Sequence, residues 1–179
     1  GIAAKSKELD PKATGITNEG LAQHYLDNAK VTVRTASGES FPAKVVSGDR
    51  NTDAAVVKAT GLNEKQNEAI GPNFKMSDTD PKKGDLVNTV GHASGTQGAE
   101  SRCFVPTQAG GVVKGEGTSL IPGKSDSVGV SMFSGMSGGP VVDQQQQNKV
   151  MGLNHASNDR RGYFIPASAV NDELRKARK

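Results

Sequence analysis

Apolar and polar positions alternate along "KVTVRTASGESFPAKVVSG", residues 30–48, with β-branched residues on both sides of a Ser-Gly turn. A period of two predicts a β-hairpin, with Val31 and Val33 on one face. "AAVVKA" at 54–59 predicts another strand, and "DLVNTVG" at 85–91 opens a second series. "GGVVKGEGTSLI", "SVGVSMF", "GPVVD", "NKVMGLNHA" and "GYFIPASAV" follow at intervals of roughly ten residues, the spacing of an all-β barrel or sandwich. The final "ASAVNDELRKARK" changes character and predicts a C-terminal helix with cations in its last turns. Before Lys30 the chain is polar, with a short helix expected from Asn18 to Asn28, and "QQQQ" at 144–147 reads as a hydrophilic hairpin tip.

The polar segment 63–84 separates the strands into two groups. The fold class expected is therefore all-β: two packed antiparallel β-barrels with a C-terminal helix, and a site in the cleft between them. A single domain over residues 1–179 would carry one lobe at 1–75 and another at 76–179. Composition agrees, since 22 glycines, 4% aromatics and no tryptophan suit short strands and tight turns better than a helical bundle.

Charge and cysteine usage narrow the function classes. The formal charge of +3 is scattered, and its one dense cluster, "RKARK" at 175–179, falls on the helix end, so no nucleic-acid partner is expected. One cysteine, Cys103, precludes an internal disulfide and any multi-cysteine metal site, and "ESRCFVP" reads as a half-buried strand position. No apolar run has the length of a membrane span, and the chain opens on Gly1 without a hydrophobic signal core, so any leader is expected to have been removed. No metal cluster, phosphate loop or cofactor motif is present in the sequence, and no cofactor is expected.

The candidate chemistry lies in "SGMSGGPVVD", residues 134–143, where three glycines and two serines surround Met136 just before a strand. Such a knot is either an ordinary turn or the setting of a nucleophile, Ser137, whose neighbours expose backbone N–H groups. A serine hydroxyl needs an imidazole to take its proton and a carboxylate to orient that imidazole. The whole chain has three histidines: His24, His92 and His155.

"VTVRTASGESFPAKVVSGDRNTDAAVVKATGL", "VGHASG", "GMSGGPVVD", "VMGLNHA" and "YFIPASAV" resemble, in order, segments of the protease domain of HtrA-type serine proteases, over roughly residues 24–172. The resemblance implies a chymotrypsin-like fold and a serine endopeptidase, with Ser137 as nucleophile, Asp53 as the acid and His24 as general base. It implies an oxyanion hole formed by the N–H groups of Gly135 and Ser137, Gly135 allowing the turn a conformation that a Cβ would oppose. Met136 stands where relatives activated by a freed N-terminus carry an aspartate, so Gly1 is not expected to switch the site on. Ser131, Asn154, His155, Ala156 and Ser157 are implied to line the substrate-binding wall, uncharged Ser131, Asn154, Ala156 and Ser157 around the primary pocket favouring a small or medium apolar side chain before the scissile bond.

His155 is expected near Asp53, as a support for the acid or part of the wall, and His92 in a loop hydrogen bond. Met136 is expected to contribute mainly backbone. The partner implied is a protein or peptide substrate, in a secreted or periplasmic location, with the oligomeric state left open. The alternative reading is a catalytically inactive relative that binds extended peptides along a strand edge without cutting them.

Overall fold

A computed structural model describes residues 30–35, 38–49, 51–70, 74–94, 104–117, 125–158 and 160–179. The helix expected over Asn18–Asn28, the candidate base His24 and Cys103 lie outside these residues.

Strands β1 (Val31–Arg34) and β2 (Ser40–Asp49) form the expected antiparallel hairpin, with Val31 opposite Ala43 and Val33 opposite Phe41. Phe41 and Ala43 are buried and their neighbours Ser40, Pro42 and Lys44 exposed, so the period of two has become two faces. Strand β3 (Ala54–Ala59) completes a three-stranded sheet of order β1-β2-β3. Helix α1 (Glu64–Ile70) follows, inside the segment expected to be a plain polar connection. Its start is a reciprocal cap: Gln66 N–H donates to Asn63 Oδ1 at 2.8 Å, and Asn63 N–H donates to Gln66 Oε1 at 3.0 Å.

The remaining strands are β4 (Lys75–Met76), β5 (Leu86–Ser94), β6 (Phe104–Glu116), β7 (Asp126–Val128), β8 (Pro140–Asp143), β9 (Lys149–Ser157) and β10 (Gly162–Pro166). Their order is β10-β7-β6-β5-β8-β9, and β9 pairs β10 again, which closes a six-stranded antiparallel barrel. Closure leaves these strands without a free sheet edge along their paired lengths. β4 adds alongside β9 in parallel. The barrel interior is filled by Val87, Val113, Val128, Val141, Met151 and Phe164 together with Met132 and Met136 from the loop before β8. "SVGVSMF" thus gives only Ser127 and Val128 to strand β7; Gly129 N–H still donates to the Val112 carbonyl, and from Val130 the chain builds that loop.

Helix α2 (Ala167–Ala177) begins where β10 ends, as the sequence predicts. Ala169 and Val170 pack with Ile165 and Ala54, and Leu174 borders the same cluster. The cap comes from outside the helix: Asp80 accepts Ser168 N–H at 2.7 Å and the Ser168 hydroxyl at 2.8 Å.

The chain divides into two compact units, Gly1–Val46 with Val56–Gly71, and Ser47–Ala55 with Pro72–Lys179. The tip of the β2–β3 hairpin, and with it Asp53, therefore belongs to the unit that contains the six-stranded barrel.

Candidate active site

Ser137 sits exposed in the loop joining β7 to β8, and the reason the loop holds its shape is packing. Met136 is 1% exposed and lies in the barrel core, where a Cβ on Gly91 would come within 2.9 Å of its Cα and Cβ. Its side chain is a buried anchor, more than the tolerated group the sequence predicts. On the other side, a Cβ on Gly139 would stand 2.1 Å from the carbonyl oxygen of Val90, so only glycine permits this approach of loop to β5. Gly135 and Gly138 have φ of 92° and 84°, the left-handed region that glycine enters without steric cost.

Backbone hydrogen bonds alternate around Ser137. Met136 N–H donates to Phe133, Gly138 N–H to Asn154 and Gly139 N–H to Met136, at 3.1, 2.8 and 3.0 Å. Among the described residues, the N–H groups of Gly135 and Ser137 have no protein acceptor. Both residues are exposed, so two free donors lie one on each side of Met136, available to a ligand oxygen.

Asp53 ends the turn between β2 and β3. Asp49 shapes that turn, its Oδ1 accepting Asn51 N–H at 2.8 Å and its carbonyl the Thr52 hydroxyl at 3.2 Å. Asp53 has φ 54°, the one non-glycine among the described residues in the left-handed region, where Asp is tolerated better than most. Its Oδ2 meets His155 Nδ1 at 3.1 Å. The His155 side chain is 3% exposed and that of Asp53 56% exposed.

His155 also contributes its backbone, since the Ser137 hydroxyl donates to its carbonyl at 3.3 Å. The structure thus gathers Ser137, His155 and Asp53, with Gly135 beside the serine. His92 is not in a loop: it lies exposed on β5 opposite Pro106.

The expected pocket residues lie on two strips that hydrogen bond to each other. Ser157 Oγ donates to the carbonyl of Met132 at 2.7 Å, and Ser131 Oγ donates to that of Asn158 at 3.0 Å. Met132, a residue sequence reading missed, is buried, and a Cβ on Gly162 would come within 2.7 Å of its side chain. Asn154 is buried, its Nδ2 donating to the Val90 carbonyl at 2.9 Å, while its Oδ1 lacks a partner among the described residues. Ala156 follows on β9, opposite Tyr163. No group of three or more metal-ligating side chains occurs among the described residues.

Residues 10–153 match the family model of the trypsin-like peptidase domain. The serine protease Do-like HtrB of Bacillus subtilis is 27% identical over 178 residues, covering 92% of this chain and 35% of that protein. The chain therefore spans about a third of the length of this curated relative. Among solved structures, the HtrA-type protease AlgW with decapeptide superposes with a TM-score of 0.62 at 20% identity, over 83% of this chain and 44% of that one. The serine endoprotease from Yersinia pestis gives 0.59 at 24% identity, over 84% and 49%. With the closed barrel, the second sheet and the C-terminal helix already described, these likenesses make the fold chymotrypsin-like, and the chain belongs to the trypsin-like peptidase domain family, resembling its HtrA-type members.

Proposed function

We propose that the chain is a serine endopeptidase domain that cleaves peptide bonds through an acyl-enzyme on Ser137. The observation that carries this reading is the pair of unoccupied N–H donors on Gly135 and Ser137, flanking a buried Met136 and adjacent to an exposed hydroxyl. Ser137 Oγ attacks the scissile carbonyl while His24 takes its proton, and the carbonyl oxygen, now negative, is met by the two N–H groups. His24 then passes the proton to the leaving amine, and water repeats the sequence to release the acid. Asp53 orients the base and stabilises its imidazolium. Removing one such donor typically costs about 10²–10³ in rate.

The substrate is a protein or peptide, in keeping with the decapeptide named with AlgW. Buried Met132 against Gly162, with uncharged Ser131, Asn154, Ala156 and Ser157 nearby, supports a small or medium apolar side chain before the scissile bond. Among the described residues no helix is long and apolar enough to cross a membrane, and a secreted or periplasmic location follows only from the family resemblance.

A second reading, peptide binding without cleavage, is favoured by one contact: the Asp53 carboxylate is already engaged by His155. Labelling with a fluorophosphonate probe, read by intact mass, discriminates the two. Stoichiometric labelling that is lost in Ser137→Ala and in His24→Ala is the expected result. Absence of labelling in the folded parent chain would overturn the endopeptidase reading in favour of the binding one.

A further inference from the structure

The loop of Ser137 enters β8 through Pro140, and that proline interrupts a ladder. In the β5–β8 register Thr89 faces Val141 and Asn88 faces Val142. Gln144 N–H donates to the Leu86 carbonyl at 3.0 Å, so the hydrogen-bonded pairs are the alternate ones, Leu86 with Gln144 and Asn88 with Val142. The next pair in that series is Val90 with Pro140, where the residue on β8 should offer its N–H to the Val90 carbonyl. Proline has no N–H to give.

Asn154 supplies the donor from β9, its Nδ2 reaching the Val90 carbonyl at 2.9 Å. Its backbone is committed to the same loop: its N–H donates to the Gly139 carbonyl and its carbonyl accepts Gly138 N–H, both at 2.8 Å. One residue thus holds Gly138 and Gly139 through its main chain and β5 through its side chain. It does so where a Cβ on Gly139 would lie 2.1 Å from the same Val90 oxygen. Ser137, whose N–H is one of the two proposed for the oxyanion, comes immediately before Gly138. The other half of the amide indicates why an asparagine stands here. Asn154 is 2% exposed, and its Oδ1 has no hydrogen-bond partner among the described residues. A buried acceptor without a donor destabilises a fold, and an apolar residue of similar size carries no such cost. Stability is therefore a poor reason for this side chain, whereas a donor aimed at one carbonyl is a sufficient one.

We propose that Asn154 is a positioning residue: it bridges the gap that Pro140 leaves in the β5–β8 ladder, and so sets the Ser137 N–H for the oxyanion, in place of the pocket-lining role that the resemblance implies. The effect on the oxyanion rests on the endopeptidase reading; the bridge itself does not.

The test compares the parent chain with Asn154→Leu, Asn154→Asp and Asn154→Leu/Pro140→Ala, by turnover of a fluorogenic peptide with a small apolar residue before the scissile bond and by amide exchange at Gly138 and Gly139. In Asn154→Leu, kcat falls about 10- to 100-fold, the scale of a small misplacement of catalytic groups, and KM stays within about twofold. Its melting temperature is unchanged, since leucine removes the unpaired acceptor together with the donor. Exchange at Gly138 accelerates about tenfold. Pro140→Ala gives position 140 an N–H for the Val90 carbonyl, so the double variant regains most of kcat and of the protection. Asn154→Asp, of the same shape and without a donor when ionised, shows the same loss and carries the test should the leucine variant not fold. Unchanged kcat and exchange, a loss that Pro140→Ala does not restore, or a change confined to KM or to the preference before the scissile bond overturns the proposal. A folded parent without turnover removes the endopeptidase reading, and the exchange series then decides the bridge alone: acceleration reversed in the double variant retains it, and unaltered exchange overturns it.

Discussion

Asp53 and His155, 102 positions apart in the chain, meet through Oδ2 and Nδ1 at 3.1 Å. An ionised carboxylate can only accept, so Nδ1 carries the hydrogen and the ring tautomer is set by the contact. The same residue accepts the Ser137 hydroxyl on its carbonyl, so one position of β9 touches both Asp53 and Ser137. Losing the ring in His155→Leu is expected to slow phosphonate labelling of Ser137 by about 10- to 100-fold, the usual scale for removing an orienting partner. His155→Asn, whose amide nitrogen falls near Nδ1, retains most of the rate. Equal labelling rates in all three proteins would take the His155 ring out of the site.

Gly135 combines an exposed free N–H with φ 92°. An alanine here costs about 1–2 kcal/mol for a left-handed backbone, or relaxes and turns the N–H away. Gly135→Ala is therefore expected to lower turnover by about 10²–10³ with KM nearly unchanged, since the donor acts on charge that develops only in the transition state. A change confined to KM would contradict that role.

Gly139 has a different constraint, a carbonyl oxygen of β5 at 2.1 Å from where its Cβ would be. The obstacle is backbone, which cannot swing aside as a side chain does. Gly139→Ala is expected to cost about 3 kcal/mol or more, at the upper end for overpacking, seen as a large drop in urea midpoint. Gly138→Ala, with open space around its Cβ and only its φ of 84° against it, should lose clearly less.

Glu173 of α2 is 1% exposed and accepts from Ser47 Oγ and Lys176 Nζ, both at 2.5 Å. Glu173→Gln keeps an acceptor for the hydroxyl, whereas Glu173→Ala strands it, at about 1–3 kcal/mol in chemical denaturation. The hydrogen bond to Glu173 holds the Lys176 ammonium above its ordinary 10.5. A raised folded value means that this contribution is complete below pH 10.5 and fades as pH climbs through the folded value. The stability gap between the parent chain and Glu173→Ala should accordingly narrow in strong alkali to the part that the Ser47 hydroxyl contributes.

The strands were legible because each carries its own pattern: "AAVVKA" is β3 residue for residue, and "ASAVNDELRKA" is α2. The loop around Ser137 was legible for a similar reason, its three glycines marking backbone that a Cβ would obstruct. Helix α1 was missed although Asn63 and Gln66 have the spacing of a reciprocal cap, since no apolar stripe follows them. Met132 depends on which segments the barrel brings together, which local periodicity does not encode, whereas the expected nearness of His155 to Asp53 is found in the structure. The strand at "SVGVSMF" was overextended because Val130 and Met132 serve the core from a loop, while Phe133 is exposed.

Met136 shares its core with Val87, Val113 and Phe164, so the loop around Ser137 has no folding step of its own. Its geometry appears when the barrel packs and vanishes when the barrel melts. Reactivity of Ser137 then serves as a thermometer for the whole barrel: heat inactivation and loss of β-structure should trace a single curve.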